Sequence, residues 1–153
     1  MGKYYADSLK DKKKTYFLIR SVDDDAILPL PTKYLKHKMN ERCSRNTLKK
    51  LAHGLSYYMN FLEEQKLSIE KVLDLSFSSQ QKHFMDYLYW VKAGNHCERK
   101  KSPSNNTCNC YLQIAFGYYE FLYIEYLRHM IIDMELLQVF IRVEPLFRLS
   151  EIT

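Results

Sequence analysis

The side chains with the widest chemical reach in this chain are its cysteines, histidines and basic residues, and their spacing narrows what they can do. The cysteines are Cys43, Cys97, Cys108 and Cys110. A structural zinc site calls for paired Cys-x-x-Cys ligands or a comparable His spacing. Cys108-x-Cys110 instead falls inside a helical pattern, where side chains two apart diverge. The thiols therefore read as buried or idle, even with His96 beside Cys97. No paired carboxylates, glycine-rich phosphate loop or nucleophile motif stands out. Catalysis is not expected, and neither is a metal, a cofactor or a small-molecule substrate.

What does concentrate is positive charge. Lys33, Lys36, Lys38, Arg42, Arg45, Lys49 and Lys50 face a single acid, Glu41, over the same stretch. Arg45, Asn46, Lys49 and Lys50 begin an expected helix that ends in Glu63 and Glu64. That order opposes the helix macrodipole, which favours anions at the start and cations at the end. A phosphate partner at the start would relieve the mismatch; a solvated charged face is the alternative reading. A second basic group, Arg99, Lys100 and Lys101, lies in the polar connector from Gly94 to Asn106, a composition expected to be exposed and mobile.

The elements that would position these charges follow from apolar spacing. Leu48, Leu51, Leu55, Tyr58 and Leu62 recur at steps of three and four, with Ala52 and Met59 widening the stripe. This predicts an amphipathic helix from Ser44, its N-cap, to Leu67. Upstream, residues 1–14 read as a mobile basic arm, and Tyr16–Arg20 and Ala26–Leu30 as a hairpin turning at Asp23-Asp24-Asp25, with Pro29 on an edge strand. Pro31-Thr32 opens a short helix from Lys33 to Met39. Ser68 to Lys71 reads as a turn or a single helical turn. Ser78-Ser79-Gln80-Gln81 fits a capping box for a helix to Ala93 that buries Phe84, Leu88 and Val91, places Trp90 in or beside the core, and stops at Gly94.

Ser104 or Asn106 caps a third long helix striped by Cys108, Tyr111, Leu112, Ala115, Tyr118, Tyr119 and Leu122. Beyond Arg128 the chain is rich in apolar residues, among them Leu136, Leu137 and Phe140, before Pro145. They need cover from the bundle or from a partner. The expected fold is mostly α, a helical bundle with a small N-terminal β-hairpin. Its expected divisions are 1–31, a basic arm and hairpin; 32–128, a helical domain; and 129–153, an apolar tail or extra helix. A length of 153 residues suits one substantial core, and a net charge of +5 is compatible with nucleic acid. No run of about eighteen apolar residues marks a membrane span, so a cytoplasmic protein without membrane contact is expected.

Ser104-x-x-Thr107-x-Asn109-x-x-Leu112, followed by Phe116-x-Tyr118-Tyr119-x-Phe121-Leu122, resembles the last helix of the N-terminal core-binding (SAM-like) domain of tyrosine recombinases, the phage-integrase family. Ser44-x-x-Thr47-Leu48 with Leu55, Phe61 and Leu62 is similar to that domain's first helix, and Gln80 to Gly94 to its second. The hairpin and short helix resemble the front end of mobile-element integrases and transposon recombinases, so the likeness runs from Tyr16 to Tyr126. It implies a domain that grips one face of double-stranded recombination-site DNA inside a bacterial cell, associated with the nucleoid when bound. It also implies a catalytic domain and other recombinase subunits as partners.

In that family the arginines, lysine, histidine and nucleophilic tyrosine of strand cleavage belong to the second domain, which is expected to be missing here. His96-Cys97-Glu98-Arg99 imitates part of that set by coincidence. Two departures from the family pattern stand out: Cys110 and Tyr111, and Gly117, occupy positions where relatives often carry arginines. On this likeness Arg42, Arg45, Lys49, Lys50, Lys100 and Lys101 would contact phosphates. Ser44, Asn46, Thr47, Asn105, Asn106 and Thr107 would reach backbone or base edges from helix starts. The rival reading is a helical interaction or dimerisation module that uses the apolar C-terminal tail.

Overall fold

The computed structural model describes residues 2–137, with side chains described as far as His129. Strands β1 (Tyr4–Asp11) and β2 (Lys14–Ser21) pair antiparallel, from Tyr4 opposite Ser21 to Asp11 opposite Lys14. Among the described residues five helices follow: α1 (Pro29–Asn40), α2 (Arg45–Glu64), α3 (Ile69–Leu73), α4 (Phe77–Lys92) and α5 (Asn105–Leu137). The fold is thus mostly α with a small N-terminal hairpin, consistent with a helical bundle.

The hairpin lies one strand earlier than the sequence predicts. The segment read as a mobile arm is β1, and the expected second strand contributes only an Ile27–Arg20 bridge before Pro29 opens α1. Proline's fixed φ and missing N–H suit the first turn of a helix as well as a sheet edge. The strand character of β1 comes from pairing: Arg20 Nε donates to Asp7 Oδ2 at 2.8 Å, and the Tyr5 hydroxyl to Asp25 Oδ1 at 2.8 Å. Asn60 on α2 acts as a neighbouring peptide group for β1. Tyr4 N donates to its Oδ1 at 2.7 Å while its Nδ2 donates to Tyr4 O at 3.0 Å, which occupies part of the strand's free edge.

Helix α2 carries the centre of the core. Leu48, Ala52, Leu55, Tyr58, Met59, Phe61 and Leu62 are buried, and Leu51 is half-buried. Across the bundle the buried set includes Tyr34 and Leu35 of α1, Val72 of α3, and Tyr87, Trp90 and Val91 of α4. Rings meet rings: Tyr58–Tyr87 at 5.0 Å, Phe61–Tyr87 at 5.2 Å and Phe61–Trp90 at 5.5 Å between centroids. Two of the polar tips find partners, while the Tyr87 hydroxyl has none among the described residues. The Tyr58 hydroxyl and His83 Nε2 are 2.9 Å apart, and Trp90 Nε1 donates to Glu64 Oε2 at 2.7 Å.

Helix α4 corrects two expectations. Its N-cap is Ser76, whose Oγ accepts from Ser79 N at 3.3 Å, two residues before the expected Ser78. Gln80 donates through Nε2 to Val72 O at 3.0 Å, tying α3 to α4. The buried face is also turned by one residue. His83 and Tyr87 sit at the centre with Trp90 and Val91, while Phe84 and Leu88 are only half-buried. Gly94 does end this stretch in the left-handed region, at φ +82°.

Helix α5 begins at Ser104, whose Oγ accepts from Thr107 N at 3.2 Å. Its buried residues are Cys108, Ile114, Ala115, Tyr118 and Phe121, whereas Tyr111, Leu112, Tyr119 and Leu122 of the expected stripe are half-buried. The chain divides into two compact units at Tyr118/Tyr119, within α5. In the second, Arg128 pairs with Glu125 at 3.1 Å, and Tyr123, Ile124 and Tyr126 are exposed. The expectations for Met130 onward lie outside the described side chains. Among the described residues no helix is long and apolar enough to cross a membrane.

Candidate nucleic-acid interface

The opening turns of α2 project Asn46, Lys49, Lys50, His53 and Tyr57, spaced to share one helical face. Ser44 sets their starting point by accepting the Thr47 N–H at 3.2 Å. Tyr111 of α5 closes the far side, and together these residues line a groove of about 290 Å³. The helices can approach here because of Gly54. A β-carbon on it would lie 2.6 Å from Ile114 Cδ1 and 3.3 Å from Tyr111 Cδ1. Behind the lysines stand three rings in mutual contact. Tyr57 meets Tyr111 at 5.2 Å and His96 at 5.0 Å, both edge to face, and His96 lies 5.8 Å from Tyr111.

Burial, with the nearby Lys49 charge, holds the His53 imidazole below its ordinary pKa. Burial likewise raises the Tyr57 and Tyr111 phenols. At neutral pH the groove therefore presents two ammonium groups, a neutral imidazole, two neutral phenols and an amide. Among the described residues no carboxylate lines it. None of these side chains makes a hydrogen bond or ion pair among the described residues. Three lysines elsewhere are paired with acids: Lys3 with Glu63 at 2.9 Å, Lys38 with Glu41 at 3.0 Å and Lys82 with Asp86 at 3.6 Å.

Of the residues singled out from the sequence, Asn46, Lys49 and Lys50 are brought together in the groove, and the others do not line it. Arg42, at φ +64°, and Arg45 are exposed just before and at the start of α2 and make no ion pair among the described residues. Ser44 and Thr47 turn their hydroxyls toward each other at 2.9 Å, and Ser104 and Thr107 repeat the arrangement at 3.0 Å. These four groups serve the helix starts. Asn105 and Asn106 are exposed on the first turn of α5. Lys100 and Lys101 are exposed on a connector folded back against Gly94, where a β-carbon would run into their backbone. That connector is more structured than its composition predicts: Gly94 is buried, and His96 and Cys97 half-buried.

Sequence reasoning missed His53, Tyr57 and His96, and read Tyr111 only as part of a core stripe and as a departure from a family pattern. For His53 and Tyr57 a signal existed, since they continue the face of Asn46 and Lys49 by helical steps. For His96 and Tyr111 the cue is tertiary. Two buried polar atoms have no partner among the described residues, His96 Nδ1 and the Tyr87 hydroxyl. Burial drives the Tyr87 phenol far above its ordinary pKa, with Tyr111, Tyr57 and Cys108 adding to the effect.

All four cysteines are free thiols, and among the described residues no cluster of three His, Cys, Asp or Glu side chains could hold a metal ion. No protein-family model, curated protein or solved structure matches the chain.

Proposed function

We propose that the chain binds double-stranded DNA as the non-catalytic arm of a site-specific tyrosine recombinase, gripping the recombination site while another domain or subunit cleaves it. The observation that carries this reading is the groove on α2, where among the described residues Lys49 and Lys50 make no ion pair and no acid lines the walls. Cations of this kind neutralise backbone phosphates and release condensed counterions, which gives register and affinity without sequence information. Arg42 and Arg45 extend the positive surface toward the α1–α2 turn, and Asn46 is the polar group beside it suited to a base edge. The order of hairpin, short helix and long helices, with Ser-x-x-Thr starts on α2 and α5, supports the family assignment. The test is binding of a labelled duplex across a salt series, with Lys49→Glu and Lys50→Glu as the control.

A second reading, a helical interaction module, is favoured by a different face. Phe77, Met85 and Tyr89 are exposed on α4 at helical steps of eight and four, with Phe77 76% exposed. A stripe of that kind attracts an apolar partner surface. Loss of self-association on Phe77→Ser and Tyr89→Ser, with DNA affinity unchanged, would favour it.

A further inference from the structure

The α2–α5 groove holds more than phosphate contact requires. Backbone phosphates of an intact duplex are met by cations on an open surface, and a paired base reaches a protein ring only at the cost of unpairing and unstacking. Here the two ammonium groups share a groove with a wall of rings, Tyr57, Tyr111 and His53. The Tyr57 and Tyr111 rings meet edge to face, with planes 82° apart and centroids at 5.2 Å, and both are only half-buried, so an aromatic surface is open beside the lysines. The neutral His53 and the Asn46 amide can donate to and accept from the edge of a heterocycle. The volume of about 290 Å³ sits at the lower end of small-ligand sites, a scale suited to one base with its phosphate.

We infer that the groove seats a single unpaired nucleotide unit, its phosphate against Lys49 and Lys50 and its base against Tyr57 and Tyr111. This inference rests on the nucleic-acid reading of the same groove. It adds that the preferred ligand is an extrahelical or single-stranded nucleotide, or a free one of the same chemistry. The stacking is sequence-tolerant, because every base has a π-face.

The test uses the whole chain and three probes carrying 5-iodouracil, which photocrosslinks to aromatic side chains in contact with it: a duplex with the base unpaired in a one-nucleotide bulge, the same duplex fully paired, and the iodinated mononucleotide. The expected result is a crosslink mapped to Tyr57 or Tyr111 with the bulged duplex, and about tenfold tighter binding of that duplex than of the paired one. Tyr111→Ala should remove that preference. Equal affinity for bulged and paired duplexes, with no crosslink at either tyrosine, overturns the inference and leaves duplex binding standing. Crosslinking of the mononucleotide without binding of either duplex supports the nucleotide site and overturns the recombinase reading. Absence of binding by all three probes overturns both.

Discussion

At the scale of single residues, the buried polar groups give the sharpest expectations. The Tyr87 hydroxyl is fully enclosed and has no partner among the described residues. Removing an unsatisfied buried hydroxyl without changing the ring relieves a desolvation cost. Tyr87→Phe is therefore expected to raise stability by about 1 kcal/mol in urea titrations, and a loss of stability would show that the hydroxyl is bonded. Gly94→Ala should do the opposite. Its backbone is left-handed and its added methyl would meet the main chain of Lys100 and Lys101, so a loss of about 2 kcal/mol is expected.

The histidines predict how stability follows pH. Burial lowers the pKa of His83, His53 and His96 from an ordinary value of 6.5. The folded chain thus binds fewer protons than the unfolded chain as pH falls below that value, and stability must fall with it. The contribution is complete above the unfolded pKa and is lost toward acid. The urea midpoint should be lower near pH 5.5 than near pH 7.5, and His83→Gln should flatten that dependence. A midpoint that rises toward acid would contradict the burial of these rings.

At the scale of elements, the helix starts are the parts most legible in the sequence. Ser44 and Ser104 cap α2 and α5 through hydroxyls whose position in Ser-x-x-Thr is a local property, and the α2 stripe needs only its own periodicity. What was not legible depends on partners distant in sequence. β1 has little apolar alternation and becomes a strand by pairing with β2 and with Asn60, 56 residues from Tyr4. The α4 face turned because Ser76, Ser78 and Ser79 compete for one capping role, and the ring cluster around Tyr58 selects Tyr87. The basic half of the groove could be read from α2 alone; its aromatic wall could not, because Tyr111 and His96 arrive from α5 and a connector. Since Ser44 also fixes where Lys49 and Lys50 point, Ser44→Ala should cost about 1 kcal/mol of stability. The same change should weaken DNA binding less than Lys49→Glu does.

For the molecule as a whole, charge and its placement decide the account. A net charge of +5 is modest, but the acids of the described residues pair mainly away from the groove, with Lys3, Arg20, Lys38, Lys82 and Arg128. Among the described residues the cations Arg42, Arg45, Lys49 and Lys50 at the start of α2 make no ion pair, which leaves them available to a polyanion. The most direct measurement is fluorescence anisotropy of a labelled duplex of about 30 base pairs across a salt series, for the native chain and for a variant with Arg45, Lys49 and Lys50 all changed to Glu. The account predicts binding that weakens steeply with salt, with a log–log slope of about 0.9 per phosphate contacted, and that disappears in the variant while its helical circular dichroism persists. Binding that survives the triple reversal, or a folded native chain that binds no duplex even at low salt, would contradict it.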